Sequence, residues 1–197
     1  MIVHLRPAFA MLLLFTLLTG LALPVALTGI AGVVFPFQAG GSLVWRDGKI
    51  IGSALIGQNF AREGYFRPRP SATTAADPAD DSKTVPAPYR ADSSNASNLG
   101  PTSKALIERV QADIATAGPA PVPADALTTS ASGLDPHISP QAALRQVARI
   151  AAARGVAEDR VRELVTQHTE APLLGFIGMP RVNVLALNLA LDTAAPR

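Results

Sequence analysis

This 197-residue chain predicts an α+β fold: one N-terminal transmembrane helix followed by a single mixed extracytoplasmic domain. Three observations lead there. Residues 7–44 contain no Asp, Glu, Lys, Arg or His, and 8–37 is almost wholly apolar. About 20 helical residues, at roughly 1.5 Å each, cross a hydrocarbon core of about 30 Å, so this run is longer than a span needs. Further on, three segments place apolar residues at helical spacing. Near the end, Leu185, Leu187, Leu189 and Leu191 alternate with Ala186, Asn188, Ala190 and Asp192, the period of a half-buried strand.

The chain divides into a short cytoplasmic tail (1–7), the anchor (8–34) and a soluble domain (42–197), which is long enough to bury a core of its own. A cleaved signal peptide is the rival reading of the start: Arg6 precedes Leu-rich sequence, and Gly29-Ile30-Ala31 is a tolerable cleavage site. The apolar run exceeds the about 7–15 residues of a signal core, which favours a retained anchor. Arg6 on one side and Arg46 with Lys49 on the other leave the positive-inside rule undecided. A short tail before a long apolar run predicts the tail in the cytoplasm and the domain translocated.

Within the anchor, Pro24 predicts a kink or an early helix end, because its ring clashes with the carbonyl of Gly20. Ala22 with Ala26, and Thr28 with Gly32, put small residues on one face, where a second helix can approach closely. Phe35, Phe37 and Trp45 suit the interfacial belt. Residues 42–57 read as a hairpin, with Leu43-Val44-Trp45 and Ile50-Ile51 as strands and Asp47-Gly48 as the turn. Residues 68–101 are rich in Ala, Ser, Thr, Asp, Asn and Pro, lack apolar periodicity, and predict irregular structure.

Pro101 opens a helix with Leu106, Ile107, Val110 and Ile114 on one stripe, ended by Gly118-Pro119. Ser139-Pro140 is an N-cap and first-turn pair, followed by a helix turning Leu144, Val147, Ala148 and Ala151 inward until Gly155. A third helix from about Ala157 buries Val161, Leu164 and Val165, with His168 on its apolar stripe. The 185–192 alternation is assigned to a strand, against the alternative of a helix capped by Asn183, since Leu and Ala favour helices.

Charge and composition exclude several functions. Seventeen basic residues face fifteen acidic ones, and the arginines are scattered, so there is no nucleic-acid footprint. The chain has no cysteine, which removes disulfides, thiolate metal sites and a Cys nucleophile. Residues 98–104 (N-L-G-P-T-S-K) resemble a phosphate loop only superficially: the second glycine is missing and Pro101 removes a donor. Ser130, Ser132, Asp135 and His137 lie close in sequence, but triad members normally converge from separate elements, and Asp135-Pro136 and Ser139-Pro140 are more simply turn and cap residues. His4, His137 and His168 lack metal-ligand spacing. The acidic cluster 77–81 reads as a solvated loop.

Several long motifs carry a resemblance that spans nearly the whole chain. They are Gly52-Ser-Ala-Leu-Ile-Gly-Gln58-Asn-Phe60, Tyr65-Phe66 with Arg69-Pro-Ser-Ala72, and Ser94-Asn-Ala-Ser-Asn-Leu-Gly-Pro101. To these add residues 129–143, which run from Thr129 through Ser132, Gly133, Asp135 and His137 to Gln141, and residues 182–192. On these the chain resembles the KdpC family, small single-span subunits of the bacterial potassium-pumping P-type ATPase complex, KdpFABC. Met179 departs from the Glu or Gln that relatives often carry.

The resemblance implies a non-catalytic accessory subunit needed for assembly and activity. Its partners would be a potassium-channel-like subunit, a P-type subunit that hydrolyses ATP, a very small membrane subunit and inner-membrane lipid. The family is described as a catalytic chaperone that raises ATP affinity of the ATPase subunit, with the motif around Ser132, Gly133 and Gln141 as nucleotide contact. An extracytoplasmic domain would not meet cytosolic ATP, so any nucleotide effect is expected to act through the complex. Subunit contact is expected at Ala22 and Ala26 in the membrane. Outside it, Ser71, Ala72, Ser94, Asn95, Ser97, Asn98 and Leu99 are expected to meet the channel-like subunit near its outer mouth. The competing class is an independent anchored or secreted periplasmic enzyme or binding module.

Overall fold

A computed structural model describes residues 2–118 and 121–194 as two compact units, 1–51 and 52–197. In the first, a 30-residue apolar helix, Leu5–Val34, is long and apolar enough to cross a membrane. It comprises α1 (Leu5–Leu17), a π-helical turn (Leu18–Ala22) and α2 (Leu23–Val34). The helix does not stop at Pro24. The wider turn just before it accommodates the residue that lacks an N–H, and the Thr19 hydroxyl donates to Phe15 O at 2.7 Å. No side chain of α1 or α2 is buried within the chain. A short helix, α3 (Pro36–Ala39), leads to the expected hairpin of β1 (Leu43–Arg46) and β2 (Lys49–Ser53), turning with Asp47 at φ 51° and Gly48 at φ 74°.

The second unit is mixed helix and sheet. Residues 68–101 are not wholly irregular as expected, because β3 (Thr74–Asp77) and β4 (Asp80–Pro86) form an antiparallel hairpin inside them. Asp77-Pro78-Ala79-Asp80 is its turn, with Asp77 Oδ1 accepting Ala79 N–H at 2.9 Å and Asp80 Oδ1 accepting Ser82 N–H at 3.1 Å. The acidic cluster is therefore turn chemistry; the side chain of Asp81 lies outside the described residues. Helix α4 (Lys104–Thr116) starts three residues after Pro101, and none of its side chains is buried. Of its expected stop at Gly118-Pro119, Gly118 follows the Ala117 cap at φ 83°, and Pro119 lies outside the described residues.

Next come β5 (His137–Ile138), α5 (Pro140–Leu144), α6 (Val147–Arg154), α7 (Glu158–Gln167), β6 (Thr169–Glu170), β7 (Arg181–Asn183) and α8 (Val184–Ala194). The three strands pair antiparallel in the order β5-β7-β6, with Ile138 and Thr169 both opposite Val182. Ser139 caps α5 as its sequence predicts, its Oγ accepting Ala142 N–H at 3.1 Å. The expected single helix after it is two short ones broken at Arg145-Gln146, so Leu144 and Ala148 are exposed. Gly155 ends α6 with φ 66°. His168 is not on the stripe of α7 but is its C-cap, half-buried, with Nδ1 2.9 Å from Leu164 O.

The last expected strand is a helix. Along α8 the buried positions are Val184, Leu185, Leu187, Asn188 and Leu191, a stripe of helical spacing. Leucines at every second position satisfy both periods, so the local pattern leaves the choice open; the helix that forms is capped by Asn183, whose Oδ1 accepts Ala186 N–H at 3.0 Å. The core packs Phe66, Ile138, Ala143, Val147, Ile150, Val161, Val165, Val182, Leu187 and Leu191.

Residues 63–67 have no strand partner, yet Phe66 is the largest fully buried side chain. Helix side chains take the place of a neighbouring strand. Asn188 accepts Phe66 N–H at 2.8 Å through Oδ1 and donates to Phe66 O at 3.0 Å through Nδ2. Gln146 does the same for Arg67, at 2.7 and 3.0 Å. Arg149 donates to the carbonyls of Glu63 and Tyr65, and Arg154 to that of Gly64 at 2.7 Å. Arg154 also pairs with Asp192 at 2.8 Å and lies over the Tyr65 ring, 4.9 Å from its centroid. Replacing Asn188 by Leu leaves two buried backbone groups unpaired. We expect a loss of roughly 2–4 kcal/mol, read as a lower urea midpoint for the full chain in detergent.

Candidate functional site

The motifs that the sequence singled out converge on one knot of loops. Arg69 stands at its base. Its Nε and Nη2 donate to the carbonyls of Thr128 and Thr129 at 3.2 and 3.3 Å, and Nη1 meets Asp135 Oδ2 at 3.0 Å. Ser71 is the hub: its Oγ donates to Gly133 O at 2.7 Å and accepts the N–H groups of Thr73 and Tyr89 at 3.3 and 3.1 Å. Buried Thr73 continues the connection, with its Oγ1 donating to Ala87 O at 2.6 Å. Tyr89, at φ 62°, returns its hydroxyl to Arg69 O at 2.8 Å.

Across from these, Ser132 O accepts Asn95 N–H and the Ser94 hydroxyl, both at 3.0 Å. Gly133 is buried at φ 69°, and a Cβ there would lie 2.5 Å from Asn95 O and 2.8 Å from Thr73 Cγ2. Only glycine fits that close approach. Gly57 is held similarly: its N–H donates to Leu134 O at 2.7 Å, and an added Cβ would strike the Tyr89 ring at 2.4 Å.

The structure thus joins two groups of residues that sequence reasoning kept apart. Ser71, Ser94 and Asn95, expected at a subunit interface, bond to the backbone of Ser132 and Gly133, expected at a nucleotide, and Ala72 O accepts from Asn95 Nδ2 at 3.4 Å. Ser97 is half-buried beyond the knot, while Asn98, at φ 52°, and Leu99 are exposed. Gln141 is exposed on α5, and Ala22 and Ala26 are exposed on the apolar helix of the other unit.

The loop 130–137 does not fit a nucleotide phosphate. A phosphate cradle needs backbone N–H groups that point outward together. Here the N–H of Gly133 is taken by Ser130 Oγ at 2.8 Å, that of Leu134 by Ser132 Oγ at 3.1 Å, and that of His137 by Asp135 Oδ1 at 2.9 Å. The Asp135 bond is the turn role read from the sequence; the Ser130 and Ser132 bonds are further turn contacts of the same kind. Beside the knot lies a cavity of about 650 Å³, lined by Arg69, Asp125, Asp135, His137, Ser139 and Arg181 among others. Its carboxylates already have partners: Asp125 accepts the backbone N–H and hydroxyl of Ser139 at 2.7 and 2.9 Å.

Asp135 is the electrostatic centre. Burial pushes its carboxyl up, but hydrogen bonds from the His137 side chain and backbone and the Arg69 guanidinium outweigh that and hold it down to about 2. Burial and the Asp135 charge push the Tyr89 hydroxyl up, against the pull of Arg69.

Sequence reasoning missed Arg69, Thr73, Tyr89, Gln146 and Asn188 as organising residues. The legible signal was polarity out of place: Asn188 interrupts an otherwise apolar helical stripe.

A family model described as KdpC, the c chain of the K+-transporting ATPase, matches residues 5–193. A Potassium-transporting ATPase KdpC subunit of Rhodopseudomonas palustris (strain BisB18) is 63% identical, covering 98% of this chain and 100% of its own length. Proteins of the same description from Methylorubrum populi and Bradyrhizobium diazoefficiens are 59% and 58% identical, each over the full length of both chains.

The folded pKa of Asp135 lies below its unfolded value of about 3.9, so its contribution is complete above about pH 4 and fades as pH falls toward about 2. Its size is of the order of 2 kcal/mol. Asp135→Asn should be destabilised by a similar amount at neutral pH and should lose less than the native chain on acidification below about pH 4, as read from urea midpoints across pH.

Proposed function

The chain belongs to the KdpC family, the c chain of the K+-transporting ATPase, and from that premise we propose a subunit that works by contact and not by catalysis. In this reading the potassium path lies in a channel-like partner and ATP hydrolysis in a P-type partner, with a very small membrane subunit alongside. The apolar helix holds the chain in the inner membrane with its N-terminus in the cytoplasm and the mixed domain outside.

The observation that carries the proposal is the knot around Arg69, Ser71 and Gly133. Its polar groups are engaged with one another, so it presents a fixed shape, and Ser94, Asn95, Asn98 and Leu99 stand exposed around it. Such a surface suits an assembly face for the channel-like subunit. Along the apolar helix, Ala22 and Ala26 lie four residues apart with no buried side chain in α1 or α2, and Cβ atoms added at Gly20, Gly29 and Gly32 would meet nothing within 4 Å. A neighbouring helix can approach there. Because the loop around Ser132 and Gly133 does not fit a phosphate, an influence on ATP affinity would pass through subunit contacts.

Two experiments test this. With an affinity tag on this chain in native membranes, the double variant Ala22→Leu/Ala26→Leu should insert normally but recover severalfold less of the other subunits, and Asn98→Glu should also lower recovery. Undiminished recovery in both would count against contact at these faces. In sealed, right-side-out vesicles, added protease should digest 52–194 and spare an N-terminal tag; the reverse pattern would invert the orientation.

A further inference from the structure

Residues 171–180, which join β6 to β7, carry no charge. Five large apolar side chains project from them: Leu173, Leu174, Phe176, Ile177 and Met179, with Leu174, Phe176 and Met179 exposed by 75%, 77% and 84%. The loop is nonetheless ordered by its own backbone. Leu173 and Ile177 exchange N–H to carbonyl bonds of 3.0 and 2.9 Å, Gly175 N–H donates to Pro172 O at 3.0 Å, and Phe176 N–H to Leu173 O at 3.3 Å. The turn at its tip has consecutive positive φ angles, 54° at Leu174 and 82° at Gly175.

Leu174 breaks two local rules at once. A left-handed backbone favours Gly, Asn or Asp, and a loop tip in water favours a polar side chain. A bulky leucine there indicates that the tip meets an apolar phase. We propose that residues 173–179 dip into the lipid bilayer at the boundary of headgroups and acyl chains.

Three features favour lipid as the occupant. Hydrocarbon favours backbone polar groups that are paired internally, and at this tip the N–H groups of Leu173, Gly175, Phe176 and Ile177 bond to carbonyls of the loop itself. Charge returns only at the neck, where Arg181 Nε meets Glu170 Oε2 at 2.8 Å, the level at which headgroups would surround the loop. The domain is also tethered: only residues 35–51 separate the apolar helix from Gly52, so even fully extended they keep it within roughly 60 Å of the bilayer. That confinement gives the loop a high effective concentration at the lipid surface. The inference rests on the reading of the apolar helix as a retained anchor.

The absence of cysteine makes the test clean. The full chain carrying Phe176→Cys, labelled with an environment-sensitive nitrobenzoxadiazole group, is placed in nanodiscs of phosphatidylcholine and phosphatidylglycerol. The reference is the same label at Arg162→Cys, an exposed position on α7. Doxyl lipid should quench the label at 176 at least twofold more than the label at 162, and iodide should quench it less. Adding Leu174→Asp should abolish that difference. Equal quenching at both positions, in chain that elutes with the nanodiscs, overturns the proposal and leaves the anchor reading standing. Chain that fails to elute with nanodiscs overturns both. If the 176 label in the co-purified complex is shielded from iodide and doxyl lipid alike, a protein partner covers the loop and the lipid proposal falls.

Discussion

The second unit depends on holding residues 63–67, an extended segment with no strand beside it among the described residues. Its buried anchor is Phe66, and an unpaired backbone at that depth would cost more than the ring contributes. Asn188 and Gln146 solve this with side-chain amides, each offering one acceptor and one donor to a single residue, as an adjacent strand would. Arg149 and Arg154 bind the carbonyls on the N-terminal side. These four side chains come from the α5–α6 break, α6 and α8, so one segment ties together helices that are otherwise distant in sequence.

The same segment then delivers Arg69 to the knot. Three loops, near 71–73, 87–95 and 128–135, have few backbone bonds in regular structure and are fixed mostly by short polar side chains. Ser, Thr and Asn suit this because they can bond to a backbone a few atoms away with little loss of side-chain freedom. Gly57 and Gly133 allow the loops to approach to distances that a Cβ would forbid. A surface built in this way is held in shape by polar bonds and not by apolar packing.

The membrane unit follows a different physics. Its helix buries no side chain within the chain and satisfies its backbone internally, with the π-helical turn before Pro24 adjusting the ladder where a donor is lost. Small residues at Ala22, Ala26, Thr28 and Gly32 are the kind that would let a second helix approach closely, and a Cβ at Gly32 would meet nothing within 4 Å.

By itself the sequence determined what depends on local chemistry. The charge-free run set the long apolar helix, Asp47-Gly48 the hairpin turn, Ser139-Pro140 the start of α5, Gly155 the end of α6, and the stripe of Val161, Leu164 and Val165 the buried face of α7. Its long motifs also placed the chain in its family, because ordered identities over the whole length do not require a fold to be recognised. Tertiary structure decided what depends on partners far along the chain. The alternating leucines of 184–191 suited two periods, and packing of Val184, Leu187 and Leu191 into the core together with the Asn188 clamp chose the helix. The knot was illegible for the same reason: Ser71, Asn95 and Gly133 show their meaning only when loops some 20 to 60 residues apart are brought within 3 Å of one another, a distance that no local pattern encodes.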